Sequence, residues 1–292
     1  MSEPMKVHAR LAAPVETVRR ALTDPAELRA WLAEHAEVEL PQRYEFWGRH
    51  TPEGDAPHQR LLHADDDTLR FAWLLDGVET TAEFHLRADG PDATVLSLSQ
   101  SHFDFAEAMS GSSIRGVLQT FWALSIANLA AHLEGRPLLP RVDFTSADLR
   151  GELLIDAPLP KVYESLTDSE QASAWFGYPI GIEPWVGGRY AMGGFETGYA
   201  AKVVDLEPGR KMSVDWGPTG VTTWELAESQ GKTKLTFVQS GFDEQHPPYA
   251  AWAGSVAGLA ELRRYHEVEN WRPIWLAAEI PGLEPETADA AG

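Results

Sequence analysis

The sequence predicts an α+β chain of two tandem domains, each a curved antiparallel sheet wrapped on a long C-terminal helix. Three observations predict it. First, Leu22-Thr-Asp-Pro-Ala-Glu-Leu-Arg-Ala-Trp31 returns later as Leu166-Thr-Asp-Ser-Glu-Gln-Ala-Ser-Ala-Trp175. Second, two further echoes keep the same order: Val78–Phe84 with Val221–Leu226, and Gln100–Asp104 with Gln239–Asp243. Third, alternating segments in each copy are separated by turn residues and not by helices, which allows only antiparallel pairing. The expected domains are residues 1–140, the more divergent copy, and 147–280, joined by a short linker.

Each copy begins with strand, helix, helix. Lys6 to Leu11 alternates Val7, Ala9 and Leu11 with Lys6, His8 and Arg10, the pattern of a half-buried strand. Pro14 suits the first turn of a helix carrying Val15, Val18 and Leu22. Asp24 is the expected N-cap of a second helix, with Glu27 as its capping-box partner, and Asp168 with Gln171 repeats the arrangement.

Strands follow, and alternation sorts their faces. The apolar face of the first copy collects Tyr44, Phe46, Leu69, Phe71, Trp73, Phe84, Leu86, Leu96, Leu98 and Gln100. That of the second collects Tyr190, Met192, Met212, Val214, Trp216, Trp224, Leu226, Leu235, Phe237 and Gln239. The opposite face is polar, so one side of each sheet is wet and the other needs a cover. The cover comes last: a helical stripe over 114–133 in the first copy and a more polar helix over about 252–265 in the second. From Val117 to Leu133 the first helix has no Asp, Glu, Lys or Arg. It is therefore expected to meet more than its own sheet, either the other domain or a second copy in a homodimer, with Trp122, Ile126 and Ala130 buried. After about Ala277 the tail is expected to fray.

Bulk properties narrow the function. The net charge of −20 opposes binding to nucleic acid or to an anionic membrane surface. No apolar run is long enough to span a bilayer. With no cysteine there are no disulfides and no thiolate chemistry, which fits a cytoplasmic protein. The chain carries eleven tryptophans, most of them in the second copy.

The run ending at Trp175-Phe176, together with Gly187-Gly-Arg-Tyr190, Met212 to Trp216, Val221-Thr-Thr-Trp224 and Ser240-Gly-Phe242, resembles the domain named after the Hsp90 ATPase activator homologue. That domain belongs to the START-like (SRPBCC, polyketide cyclase/Bet v 1-like) superfamily. The second copy resembles it over most of its length. In the first, Pro41-Gln42 replaces the glycine pair and Ser101-His-Phe103 replaces Ser-Gly-Phe. The resemblance implies a helix-grip fold with a ligand-accommodating cavity; it implies no single activity.

Most motifs carry no chemistry. Gly187-Gly-Arg-Tyr-Ala-Met-Gly-Gly194 lacks the Gly-Lys-Ser/Thr end of a phosphate loop and reads as a hairpin with turn glycines. His58 and His63 flank a short strand and read as solvent-exposed; no metal motif is present, and neither a metal nor a cofactor is expected. His102 with Asp104 has dyad spacing, but Gly241 stands at that position in the second copy, so a loop histidine without a task is the simpler reading. Tyr265-His266 reads as a solvated helix face. No catalytic residue is assigned.

Two polar pairs remain on the apolar faces: Tyr44 with Tyr190, and Gln100 with Gln239. They are either satisfied core groups or the few polar groups that orient a ligand in an apolar pocket. The pocket is expected in the second copy, where Trp175, Trp185, Tyr190, Met192, Trp216, Trp224 and Trp252 converge beside Gln239. The expected function is binding of a small hydrophobic or aromatic molecule, for sequestration or resistance. The alternatives are a cyclase/aromatase-type or hydrolase enzyme using the same cavity, and a chaperone-associated interaction module.

Overall fold

The computed structural model describes residues 4–102, 107, 113–197 and 200–279. The chain divides into two compact units, one reaching Leu138 and including the described residues from Ile274 on, the other spanning Leu139–Pro273.

The first unit opens with β1 (Met5–Leu11), α1 (Val15–Thr23) and α2 (Pro25–Trp31). The strands β2 (His35–Glu39), β3 (Arg43–Trp47), β4 (Gln59–Ala64), β5 (Thr68–Leu75), β6 (Val78–Ala88) and β7 (Thr94–Gln100) follow. A 3-10 turn at Ile114–Val117 leads into α3 (Leu118–Leu133). The second unit repeats the plan with β8 (Leu149–Ile155), α4 (Leu159–Thr167), α5 (Ser169–Phe176), β9 (Ile180–Ile182), β10 (Arg189–Met192), β11 (Ala201–Glu207), β12 (Lys211–Asp215), β13 (Val221–Ser229), β14 (Lys232–Ser240) and α6 (Tyr249–Glu267). The last described element is β15 (Trp275–Glu279).

All pairing is antiparallel, as the short turns require. The second unit holds one seven-stranded sheet in the order β8-β14-β13-β12-β11-β10-β9. The first holds a six-stranded sheet, β15-β1-β7-β6-β5-β4, with β2 and β3 as a separate pair. Between β3 and β4 a side chain replaces the missing ladder: Gln59 Oε1 accepts from the Phe46 amide at 3.1 Å.

The period-2 reading of the faces holds. Every residue expected on the first apolar face is buried, and on the second only Met192 and Trp216 are half-buried. On the second sheet's polar face, Ser213 and Thr236 are buried as well: Ser213 Oγ bonds Thr223 Oγ1 at 2.8 Å, and Thr236 Oγ1 donates to Glu152 at 3.3 Å.

Asp24 accepts from the amides of Ala26 and Glu27, and Asp168 from that of Gln171, so both expected N-caps form. The reciprocal halves of the capping boxes do not. Glu27 turns to His132 at the end of α3, at 2.5 Å, and Gln171 Oε1 accepts from Ser165 Oγ at 2.9 Å. Each side chain has a tertiary donor that competes with the local amide.

Helix α3 is buried on all sides. Trp122 and Ile126 are 0% exposed and Ala130 is 2% exposed within the single chain. Within its own unit α1, α2 and β1 all lie against it. In the second unit α5 and α6 meet closely at Gly258, where a Cβ would stand 2.6 Å from the Phe176 ring. Among the described residues no helix is long and apolar enough to cross a membrane.

β15 lies where the tail was expected to begin fraying. It pairs with β1 from Lys6↔Glu279 to Ala9↔Trp275, and the Arg10 amide donates to the Ile274 carbonyl at 2.7 Å. Residues beyond Glu279 lie outside the described part.

Candidate ligand-binding site

The second unit's sheet and α6 enclose a chain of rings. Trp216 meets Tyr190 edge-on at 5.5 Å between centroids, and Tyr190 stacks on Trp224 at 6.0 Å with 19° between planes. Trp224 reaches Phe237 at 5.9 Å, and Phe237 reaches Trp252 of α6 at 6.4 Å. The pleat produces this chain: Trp224 and Phe237 are opposite partners across β13 and β14, and each inward residue is two positions from the next. Trp216 is half-buried; the other four are buried.

Three polar groups accompany the rings. Burial pushes the Tyr190 phenol well above its ordinary pKa, so it stays neutral. Gln239, 4% exposed, donates its Nε2 to the Thr219 carbonyl at 2.7 Å. That carbonyl needs a donor, which fixes the carboxamide with Oε1 as the remaining acceptor. Gly220 lets the Thr219 turn come so close: at φ +85° a Cβ there would stand 2.2 Å from the Ser240 carbonyl oxygen. Gln239 Oε1 and the Trp252 indole N–H are both buried without a hydrogen-bond partner.

The first unit is the internal control. Its Gln100, at the matching strand end, is hydrogen-bonded through both polar atoms: Oε1 accepts from Trp122 Nε1 at 3.0 Å and Nε2 donates to the Ser101 carbonyl at 3.1 Å. Its rings form a closed cluster instead of a chain. Trp73 meets Phe46, Phe71, Phe121 and Trp122 between 5.2 and 6.5 Å, and Tyr44 meets Phe46 and Phe71. Tyr44 Oη and Trp73 Nε1, which belong to this cluster, also lack hydrogen-bond partners. A crevice beside it, lined by Leu22, Leu69 and Phe84 among others, has about 10 Å³, room for roughly one water.

Of the expected site residues, Tyr190, Trp216, Trp224 and Trp252 therefore join in one chain of rings through Phe237, and Gln239 lies two residues from Phe237 on the same face of β14. Met192 ends β10, half-buried. Trp175 is buried, but its indole N–H is committed to the Ser165 carbonyl at 2.8 Å, as that of Trp31 is to Ala21 at 2.9 Å, so its polar handle serves the helix pair. Trp185 is 55% exposed, on the turn between β9 and β10. Its expected convergence with the other rings is corrected accordingly: it follows Pro184 outside the strand register. Tyr44 and Gln100 belong to the closed core of the first unit.

His63 is exposed, as expected, but lies within β4, and His58 is half-buried. His58 and His63 pair with Asp55 and Asp65, and His63 with two backbone amides holds Asp65 down to about 2. His102 is exposed, and Asp104 lies outside the described residues. Among the described residues no cluster of His, Asp and Glu could hold a metal.

One concavity was not legible in the sequence. An open cleft of about 640 Å³ is lined by Lys161, Glu164, Gln171, Tyr265, His266, Val268, Asn270 and Trp271. Tyr265 and His266, expected on a solvated face, form its wall because the segment after α6 turns back: Trp271 packs edge-on to Tyr265 at 5.3 Å and donates to Glu261 at 3.0 Å.

Comparison with known proteins follows this geometry. The family model for "Activator of Hsp90 ATPase homolog 1-like protein" matches twice, over residues 12–134 and 156–267. No curated protein matches. Among solved structures, CalU16 from Micromonospora echinospora is 23% identical with a TM-score of 0.36, over 45% of this chain and 74% of that chain. DynU16, from the dynemicin biosynthetic locus, is 18% identical with a TM-score of 0.39, over 91% of this chain and 100% of that chain. The di-domain ARO/CYC BexL of the BE-7585A biosynthetic pathway is 15% identical with a TM-score of 0.35, over 90% and 98%. Scores this low carry no argument about function. The two family matches cover most of the sequence and coincide with the two repeats, so the chain belongs to the family of Activator of Hsp90 ATPase homolog 1-like proteins.

Proposed function

We propose that the second domain binds a small, uncharged hydrophobic or aromatic molecule between its sheet and α6, and that the protein acts by holding that molecule. The observation that supports this is the pair of buried, partnerless polar atoms, Gln239 Oε1 and Trp252 Nε1, beside an otherwise apolar chain of rings. Buried polar groups are almost always hydrogen-bonded, and a site that takes a ligand is where the exception has a reason. An enzyme of cyclase or hydrolase type needs a positioned acid, base or nucleophile. The groups along the ring chain are a neutral phenol, a carboxamide and an indole, which favours binding over catalysis. A chaperone-associated role rests on the family's name alone.

The test is calorimetric titration of the protein with a panel of neutral aromatic and polycyclic compounds, with a crystal structure of the best complex. Saturable binding with the compound under α6 supports the reading. No heat from any compound, with side chains filling the space between Trp224 and Trp252, overturns it.

A further inference from the structure

In the first domain the strand-end glutamine and a helix tryptophan bond each other directly, Gln100 Oε1 to Trp122 Nε1 at 3.0 Å. In the second domain the same two kinds of group are present, and both flank one ring. Gln239 lies two residues from Phe237 on the same face of β14, and Trp252 packs on Phe237. Yet neither bonds the other or anything else through Gln239 Oε1 and Trp252 Nε1. One atom is a fixed acceptor and the other can only donate.

We infer that the ligand of the second domain carries a hydroxyl group that closes this pair, donating its proton to Gln239 Oε1 and accepting from Trp252 Nε1. The inference rests on the binding reading above and deepens it: Gln239 and Trp252 become the groups that determine specificity, and each chain holds one ligand. A hydroxyl is the smallest group that satisfies both atoms at once. A carbonyl satisfies only the indole. An ether does the same and sets an oxygen lone pair against Gln239 Oε1. A charged oxygen is disfavoured by the same physics that keeps Tyr190 neutral: burial penalises its ionised form. The first domain binds no such ligand, because Trp122 already occupies the acceptor of Gln100 and the surrounding rings close on each other.

The experiment compares 2-naphthol with 2-methoxynaphthalene, which has the same ring system and keeps the oxygen but lacks the proton. Both are titrated calorimetrically into the wild-type chain and into Gln239→Leu, Trp252→Phe and Gln100→Leu, with circular dichroism confirming that each variant is folded. Wild type is expected to bind one naphthol per chain, roughly 3- to 10-fold more tightly than the ether, the ratio that one net hydrogen bond gives. Gln239→Leu should bring the ratio to about one, chiefly by weakening naphthol. Trp252→Phe should weaken both compounds, and Gln100→Leu should leave the ratio as in wild type. The wild-type ratio needs no variant to fold. Equal binding of the two compounds to wild type overturns the inference while leaving the binding reading intact. So does a ratio that collapses in Gln100→Leu and not in Gln239→Leu. Binding of neither compound overturns the inference, while the binding reading falls only if the wider panel also gives no heat.

Discussion

The Trp175 indole N–H donates to the Ser165 carbonyl at 2.8 Å, and the Trp31 indole makes the same bond to Ala21 at 2.9 Å. The repeated Leu-Thr-Asp…Trp run therefore encodes a helix pair locked by a side chain reaching back ten residues. Phenylalanine keeps most of the ring and removes the bond. Trp175→Phe is expected to destabilise the second domain, and Trp31→Phe the first, each by about 1 kcal/mol. Equilibrium urea unfolding of the two variants measures this. Affinity for the second domain's ligand should stay at its wild-type value in both.

Trp224 separates a ligand wall from a packed core. It is 7% exposed, stacks on Tyr190 and tilts against Phe237. A fully packed tryptophan costs about 3–5 kcal/mol when cut to alanine. Trp224→Ala is expected to cost less than that and to lower ligand affinity about tenfold, by removing ring contacts that the ligand would share. Chemical denaturation paired with calorimetry decides it. A loss of 4 kcal/mol or more, with the residual folded fraction binding normally, shows a core residue.

His266 makes the second domain sensitive to mild acid. Burial lowers its pKa below the ordinary value of 6.5; Glu267 pulls the other way and Lys161 adds to the lowering. The folded state then binds fewer protons here than the unfolded state, so stability rises with pH across this titration. The contribution is complete above about pH 6.5 and is lost as pH falls through the lower folded value. Urea midpoints of the second domain should fall from pH 7.5 to pH 5.5, and His266→Gln should flatten that slope. The lowered carboxylates, Asp65 first among them, act at lower pH and leave this window to the histidine.

The fold was legible because its signals are local: alternation fixes a strand's faces, Asp24 and Asp168 fix helix starts, and repetition fixes the number of domains. The interior faces followed from the same pleat. The site was legible only in part. Gln100 and Gln239 look alike in sequence, and what separates them is the bond to the carboxamide oxygen, which Trp122 makes in one domain and which has no counterpart among the described residues in the other. That depends on how the helix sits on the sheet, which no residue pattern records. Trp185 misled because composition counts a tryptophan without saying that it stands on a turn.

β15 escaped for another reason: its partner is at the other end of the chain. Trp275-Leu-Ala-Ala-Glu279 has weak strand character, has no counterpart in the repeat, and forms only against β1. Its pairing covers the edge that β1 would otherwise present and buries Ile274 to 3% exposure. The Lys6–Glu279 ion pair at 2.8 Å is exposed and adds little. Ending the chain after Pro273 should therefore weaken the first domain, from which the missing strand is distant in sequence, and spare the second. The loss is expected to reach at least about 2 kcal/mol, the scale of deleting one buried isoleucine. Hydrogen exchange followed by mass spectrometry reads it directly. Peptides covering β1 and β7 should exchange faster in the truncated chain, while those covering β8 and β14 keep their protection. Faster exchange confined to β8 and β14, with β1 unchanged, would show that the strand supports the second domain instead.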